Sequence, residues 1–550
     1  MTVFYKTKFP ETLPPSFWFA VAVQIKVSAN FYVHPSMCCQ KYKDVLFICG
    51  IAGIWNGSNQ DDIKSMLDIM THRGPDASGN MIFDDVPGVF GHRRLSIMDP
   101  KGGDQPISNE DNTMSIIANG EIYNFPQLSA SLKEKHDLKT TSDTEAVLHL
   151  YEDSGEKLVD SLQGMYAFAI ADGENLFIAR DPVGIKPLYY ADTENGFYFA
   201  SELKPLAAIS SDIHEFPPGT YYHTKTGFKK FYNLPQTAIN EKPVAENIKN
   251  LRHTLERVVE SHLMSDVPLG VFLSGGLDSS ITTALSRKII GKPIHSFSVG
   301  IEGSPDLEAA RMLSGYLDTI HHEYLITAAE VMEKLPEIIY YLESFDQDLV
   351  RSAIPTYFTA RMASEQVKVV LSGEGADELF AGYSYYKDLQ VTDEIMQNEL
   401  RRSVSTLHNV NLQRVDRLTM AHSIEARVPF LDREIIDVSL QIPAKYKLYG
   451  KPPVEKWILR KAVEDLLPDE ITWRKKEQFD EGSGIVDFIE KEIESRFSRA
   501  EAGRHRKLNP DVSLRSTEEC YYHKIFTDVF DHPETIMENM GRWAERPSYL

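Results

Sequence analysis

Residues Leu269-Gly270-Val271-Phe272-Leu273-Ser274-Gly275-Gly276-Leu277-Asp278-Ser279-Ser280 decide the fold of the chain's second half. Positions 269–273 form an apolar run short enough for a buried strand, and 279–290 carry the spacing of a helix. Between them, two adjacent glycines let the backbone turn sharply and approach a ligand closely. The helix behind them presents free amides and the positive end of its dipole. Ser274, Ser279 and Ser280 can add hydroxyl donors, so the segment is built to cradle phosphate. A Gly/Ser turn capped by Asp278 is the plainer reading, but strand, loop and helix fall in the order that a phosphate site needs. The Gly-Lys-Ser/Thr ending of a Walker loop is missing.

A second loop, Ser372-Gly373-Glu374-Gly375-Ala376-Asp377-Glu378, follows a second apolar run at 367–371. A further strand is expected at 295–299. Strands alternating with helices predict a parallel sheet covered on both faces. Both loops then emerge at carboxyl ends of strands, where ligands bind. Asp278 and Asp377 could share a magnesium ion, a cation that takes hard oxygen ligands beside phosphate, with Glu374 facing the reacting centre. The first loop resembles the SGGxDS loop of the ATP pyrophosphatases, which split ATP into AMP and pyrophosphate and in which the aspartate helps to hold magnesium.

Upstream, Ile248, Leu251, Leu255, Val258 and Val259 predict an amphipathic helix, preceded by a polar linker at 233–246. From Cys49 to about Tyr232 short strands dominate, among them 114–118, 167–171, 176–178 and 197–200, with helical patches at 61–70 and 143–152. That pattern predicts packed antiparallel sheets. Residues 1–48 show no clean periodicity. With 550 residues, two or three domains are expected. A net charge of −22 argues against nucleic-acid or anionic-membrane partners. Four cysteines are too sparse for a disulfide scaffold and fit a reducing, cytosolic compartment; no CxxC pair occurs, and no His/Cys spacing suggests zinc. The longest apolar stretch, at 17–23, falls short of the ~18 residues of a membrane span.

Cys49-Gly50-Ile51-Ala52-Gly53 resembles the start of class II glutamine amidotransferases, which use an N-terminal cysteine whose own α-amine acts as base. His72-Arg73-Gly74-Pro75-Asp76, Asn119-Gly120-Glu121-Ile122-Tyr123-Asn124, Ser142-Asp143 and the segment 180–189 match the rest of that domain. The second half is similar to the synthetase domain of glutamine-hydrolysing asparagine synthetases, through both loops, Glu425-Ala426-Arg427-Val428-Pro429-Phe430-Leu431-Asp432 and Trp473-Arg474-Lys475-Lys476-Glu477-Gln478-Phe479. The likeness runs over about residues 49–530.

The resemblance implies an α/β chain of two domains. An N-terminal-nucleophile-hydrolase-like amidotransferase with stacked antiparallel sheets would occupy 49–232. A doubly wound parallel sheet of ATP-pyrophosphatase type would occupy 247–550. It implies Cys49 as nucleophile, with Asn119 and the Gly120 amide as oxyanion hole, a donor set worth ~3 kcal/mol in comparable enzymes. Arg73 is implied as partner of the glutamine α-carboxylate, and Glu121 and Asp143 as holders of its ammonium. Asp143 could instead simply cap the helix after it. ATP and Mg2+ are implied as cofactors, with Phe272, Ser274, Gly275, Gly276, Asp278, Ser279, Val299, Ser372 and Gly373 around the nucleotide and Asp278 and Asp377 at the metal. Lys476 would neutralise pyrophosphate and Glu374 would act as base. Phe272 departs from the smaller aliphatic residue usual in the family.

The implied reaction amidates aspartate through a β-aspartyl-AMP intermediate with ammonia from glutamine. Glutamine, aspartate and ATP are the expected partners, and a homodimer is left open. A cyclising synthetase of β-lactam type, an ammonia-only synthetase, a non-catalytic relative and a pure glutaminase are the rivals. Cys49, Arg73, Asn119, Glu121 and Asp143 speak against the first. Intact Asp278, Glu374, Asp377 and Lys476 speak against a non-catalytic chain, and a pure glutaminase leaves the second half unexplained. Cys49 follows Ile48 in this sequence and so has a peptide nitrogen, whose lone pair is tied up by resonance. Removal of residues 1–48, or a misjudged start, is the preferred reading over an ammonia-only enzyme.

Overall fold

A computed structural model describes residues 49–543, apart from 75–76, 84–85, 95–98, 100–101, 237–238, 389–391 and 476–482. The extension 1–48 lies outside the described residues. In the first half, two six-stranded sheets stack face to face. β1 (Gly50–Trp55) lies inside one sheet, between Gly88–Arg94 and Gly196–Ala200, antiparallel to both. β2 (Met114–Ile122) lies in the other sheet, antiparallel to Gly164–Asp172.

The period of two along each strand sorts side chains between layers. Ile51 and Trp55 of β1 meet Ile117 of β2, with Ala167, Ala169 and Ile178, in the core between the sheets. Ile116, Ala118 and Ile122 point the other way and pack against Val147, Leu148 and Tyr151 of helix α1 (Asp143–Ser154). On the far side, Ala52, Ile54 and Val89 cover Ile63, Met66 and Leu67 of the helix Gln60–Ile69. The result is helix, sheet, sheet, helix, and its two inner layers are the stacked antiparallel sheets that the N-terminal resemblance implies.

Helix α2 (Val244–His262) begins inside the segment read from sequence as linker. Pro243 is its N-cap, a position where the missing N–H costs nothing. The second half is built on a parallel sheet of five strands: β3 (Leu269–Phe272), β4 (His295–Gly300), β5 (Ile320–Leu325), β6 (Val369–Leu371) and β7 (Glu425–Arg427). Their order in space is β5-β4-β3-β6-β7. The central pair β3 and β6 runs in register, Val271 beside Leu371. Val271, Val369 and Leu371 face a core that includes Leu251 and Leu255 of α2, while Phe297, Val370 and Ala426 face Ala363 and Val415. Both faces are therefore covered, as a parallel sheet requires. The described residues of both halves belong to one compact unit, Leu46–Leu550.

Candidate functional site

The reversal of strand order between β3 and β6 opens a crevice at the carboxyl ends of those strands. Helix α3 (Leu277–Ile290) starts there. Gly276 is its N-cap, and no described side chain caps its first turn. Gly275 has φ +71°, and a Cβ on it would stand 2.7 Å from the Ala310 backbone nitrogen. Gly373 lets the second loop close on the first: its Cβ would meet Asp278 Cβ at 2.7 Å and the Ser279 nitrogen at 2.8 Å. The two loops thus border one cavity of about 320 Å³.

Phe272, Ser274, Gly276, Asp278, Ser279, Val299, Ser372, Gly373, Glu374 and Asp377 all line it. Gly275 turns its carbonyl to the Arg474 guanidinium instead, at 3.2 Å. Ser280 does not offer a hydroxyl to this space, because its Oγ donates to the Gly276 carbonyl at 2.6 Å within the helix. Lys476 lies outside the described residues. Among the lining cations to which the sequence reading gave no role, three pair with acids of the same lining. Lys456 puts its ammonium 2.6 Å from both Asp278 and Asp377. Arg414 pairs with Glu374. Arg474 pairs with Asp306 at 2.9 Å. Lys456 has φ +54° at the start of the helix Trp457–Val463 and is almost wholly buried. Nothing in its neighbours' spacing announces it.

The second pocket is small and polar, lined by Cys49, Arg94, Gly103, Gln105, Gly120, Glu121, Ser142, Asp143, Thr144 and Glu425. β1 and β2 bring Cys49 and Gly120 together across the sandwich, and the start of α1 adds Asp143. Ser142 is the helix cap and accepts from the Thr144 amide. Asp143 is therefore free of capping duty; its carboxylate accepts from the Ile122 amide at 2.8 Å and faces the pocket. Burial pushes its carboxyl up to about 6, against that hydrogen bond. Burial also pushes Glu121 well above the usual range, although Arg427 at 2.9 Å opposes the shift. Two carboxyls raised by desolvation favour a cationic guest, which would let both ionise. Asn119 is buried next to this wall, and its Nδ2 has no hydrogen-bond partner among the described residues.

Arg73 corrects the sequence reading. Its guanidinium is fully buried away from the pocket lining, bonded to Asp416 at 2.7 and 3.2 Å and to Glu202 at 2.9 Å. Its Nε reaches the Cys49 carbonyl at 3.4 Å. With four of its five N–H donors engaged, three of them by two carboxylates, and no exposure, the fork has no seat for a substrate carboxylate. Arg94 is the arginine in the pocket. It holds the Asp99 carbonyl at 2.8 Å and Asp104, whose side chain is 77% exposed and so readily displaced. The strand Gly88–Arg94 presents Arg93 to Leu67 and Asp68, so its neighbour Arg94 points to the other face.

One helix runs from the nucleotide cavity to the arginine behind Cys49. This helix, α4 (Asn411–Met420), gives Asn411, Arg414 and Val415 to the nucleotide cavity. Its next residues, Asp416 and Arg417, bind Arg73 and Glu343. β7 reaches both sites: Glu425 enters the Cys49 pocket, Arg427 bonds both Glu425 and Glu121 at 2.9 Å, and the Arg427 carbonyl accepts from the amide of Ser372, a nucleotide-cavity residue, at 2.9 Å.

Known proteins show the same bipartite plan. A family profile described as a glutamine amidotransferase domain matches residues 48–260. One described as asparagine synthase matches 250–395 and 390–545. Asparagine synthetase [glutamine-hydrolyzing] of Zea mays is 38% identical, covering 84% of this chain and 82% of its own length. Asparagine synthetase B [glutamine-hydrolyzing] of Escherichia coli is also 38% identical, over 84% of this chain and 87% of its own. A probable asparagine synthetase [glutamine-hydrolyzing] of Dictyostelium discoideum is 36% identical over 90% and 96%.

Proposed function

The chain belongs to the glutamine-hydrolysing asparagine synthetases, and on that premise we propose that it uses ATP to make asparagine from aspartate, with ammonia released from glutamine in the Cys49 pocket. The observation that carries this reading is that β7 gives Glu425 to the Cys49 pocket while its Arg427 carbonyl holds the amide of Ser372, which lines the nucleotide cavity. A cavity with a pyrophosphate cradle and a pocket with a thiol and raised carboxyls are thus tied through one strand.

In the first pocket Cys49 attacks the glutamine carboxamide, Arg94 rather than Arg73 pairs with the substrate carboxylate, and Glu121 and Asp143 hold its ammonium. Asn119 Nδ2, a buried donor with no described partner, and the Gly120 amide face the developing oxyanion. The base is the Cys49 amine, which requires that residues 1–48 be absent from the active chain. In the second site the amides at the start of α3 and Ser274 and Ser279 receive the phosphates, while Phe272 and Val299 border the adenosine. Arg414 fixes Glu374, which takes a proton from the incoming ammonium. Asp278 and Asp377 converge on one point, as their common partner Lys456 shows, and offer the hard oxygens that suit Mg2+. Mg2+, when bound, screens the phosphate charge. Lys456 then stays beside the phosphates as a second cation, and Lys476 remains our choice for neutralising pyrophosphate.

The residue ranges 49–232 and 247–550 are the two functional halves we assign. Four cysteines in 550 residues, with no CxxC pair, suit the cytosolic setting we assign. No described helix is long and apolar enough to cross a membrane. The test compares the full chain with one beginning at Cys49. The shorter chain should release pyrophosphate and form asparagine from ATP, aspartate and glutamine, and the longer one only with ammonium salts. Pyrophosphate release that ignores aspartate, or equal glutaminase rates from an uncleaved long chain, would overturn the reading.

A further inference from the structure

Outside both sites, four ligating side chains from three segments converge on the amidotransferase half. Glu110 comes from the turn ahead of β2, His136 from the loop after the helix Phe125–Leu132, and His149 and Glu152 from α1. Their ligand atoms all lie within 4.8 Å of one another. His136 Nδ1 is 3.3 Å from Glu110 and 3.7 Å from Glu152, and His149 Nδ1 is 3.6 Å from Glu110. Bonds of ~2.0–2.1 Å to a tetrahedral ion would separate neighbouring ligand atoms by ~3.3 Å, so these edges already approach the size required. The fourth, His149 Nδ1 to Glu152 at 2.5 Å, would lengthen on binding.

The surroundings match a metal centre independently. Each ring's other nitrogen faces a carboxylate: His149 Nε2 lies 3.7 Å from Glu145, and His136 Nε2 lies 3.6 Å from Asp153. Neither distance is yet a hydrogen bond, but a small closing of each carboxylate on Nε2 would set the tautomer that ligates through Nδ1. Asn109 Nδ2 holds the second oxygen of Glu152 at 2.7 Å, and the Asp137 amide holds Glu110 at 3.0 Å. The rings are stacked, with centroids 4.5 Å apart. Glu145, His149 and Glu152 share one face of α1, opposite in role to Val147, Leu148 and Tyr151 in the core. His149 is buried while Glu110 is exposed, which gives an ion both a firm seat and a way in.

We propose that Glu110, His136, His149 and Glu152 bind a divalent transition-metal ion of the zinc class in a closed structural site. Two imidazoles and two carboxylates suit Zn2+ or Co2+ and disfavour Mg2+ and Ca2+, which take oxygen alone. The ion ties the 133–142 loop and α1 to the strand turn. Glu145, behind the site, also holds the Lys139 and Thr140 amides at 2.8 and 2.6 Å, and Ser142 and Asp143 follow directly into the glutamine pocket. The metal therefore steadies the pocket wall that carries Asp143. The rival occupant is a proton. Burial lowers the affinity of His149 for one, but Glu145, Glu152 and Glu110 outweigh it and leave its pKa raised.

The experiment dialyses the whole chain against a chelator and titrates it with Zn2+ alone, reading heat and Tm, beside His149→Ala and His136→Ala. The unaltered chain should bind one more equivalent than either variant and show a zinc-dependent rise in Tm that both lack. Co2+ in its place should give a tetrahedral d–d spectrum without a thiolate charge-transfer band, which excludes the cysteines. Ammonium-dependent synthesis shows that each variant is folded. His136→Ala, on a loop, serves if His149→Ala is not. Equal zinc uptake and equal Tm response in all three chains would overturn the proposal. So would a stability that ignores zinc and declines as pH rises through the titration of His149, the signature of a proton-filled cluster.

Discussion

Arg73 and Arg94 carry the same fork to different work. Removing Arg73 leaves the buried Asp416 with weaker partners, Arg417 at 3.7 Å and Lys186 at 4.0 Å, while Glu202 keeps Lys204 and His72. Although burial raises it, Arg73 and Lys186 hold the Asp416 carboxyl below the usual range. Arg73→Ala should therefore cost about 3–5 kcal/mol of stability, read by denaturant unfolding. Arg94→Ala should leave stability nearly unchanged and raise the KM for glutamine about thirtyfold, the equivalent of about 2 kcal/mol for a charge-assisted contact. The reverse pattern would return the carboxylate role to Arg73. Asp143 sets a pH limit. Its folded pKa of about 6 lies above its ordinary value, so the fold favours the protonated form and the ionised fraction falls as pH drops through about 6. In the chain beginning at Cys49, kcat/KM for glutamine should decline below about pH 6, and that limb should vanish in Asp143→Asn along with most of the glutamine affinity. Ammonium-dependent synthesis should not share the limb. If it does, the titrating group lies in the synthetase half.

At the scale of elements, the nucleotide cradle depends on how closely two loops pack. Gly373 is the contact point, and both atoms its Cβ would strike belong to Asp278 and Ser279. Gly373→Ala should push the loops apart and slow ATP–pyrophosphate exchange about a hundredfold, the order expected for a misplacement near 1 Å. Glutamine hydrolysis should be untouched. The sequence placed these elements well because strand, glycine turn and helix are local patterns: 269–273 became Leu269–Phe272, and 279–290 became Leu277–Ile290. It missed β7, a strand of only three residues whose Glu425, Ala426 and Arg427 show no alternation. It also placed the start of α2 too late, because Pro243 reads equally well as linker and as helix cap.

Across the whole molecule, a buried charge lattice ties the glutamine pocket to the sheet that carries the nucleotide loops. Arg427 links Glu121 of the amidotransferase wall to Glu425 of the sheet that carries the nucleotide loops. Cys49→Ala should abolish glutamine use and leave synthesis from ammonium salts, since the thiol is absent from the nucleotide cavity. Arg427→Met should behave otherwise. It strands two buried carboxyls, so Tm should fall, and glutamine-dependent synthesis should drop further than ammonium-dependent synthesis. Equal losses in both would reduce Arg427 to a purely structural link.

By itself the sequence determined the sandwich and the parallel sheet, the thiol, the phosphate loop and, among the acids that line the pockets, Glu121, Asp143, Asp278, Glu374 and Asp377. Each of these is written locally, as a periodicity, a glycine pair or a short segment. Only the tertiary structure decided which arginine meets the glutamine pocket, that Lys456 stands between Asp278 and Asp377, and that β7 serves both sites. Those outcomes depend on strand register and on contacts such as Arg73 with Asp416 or Lys456 with Asp278, between residues far apart in the chain. A charge in a sequence has no direction. It acquires one only when burial makes an unpaired partner too costly to leave.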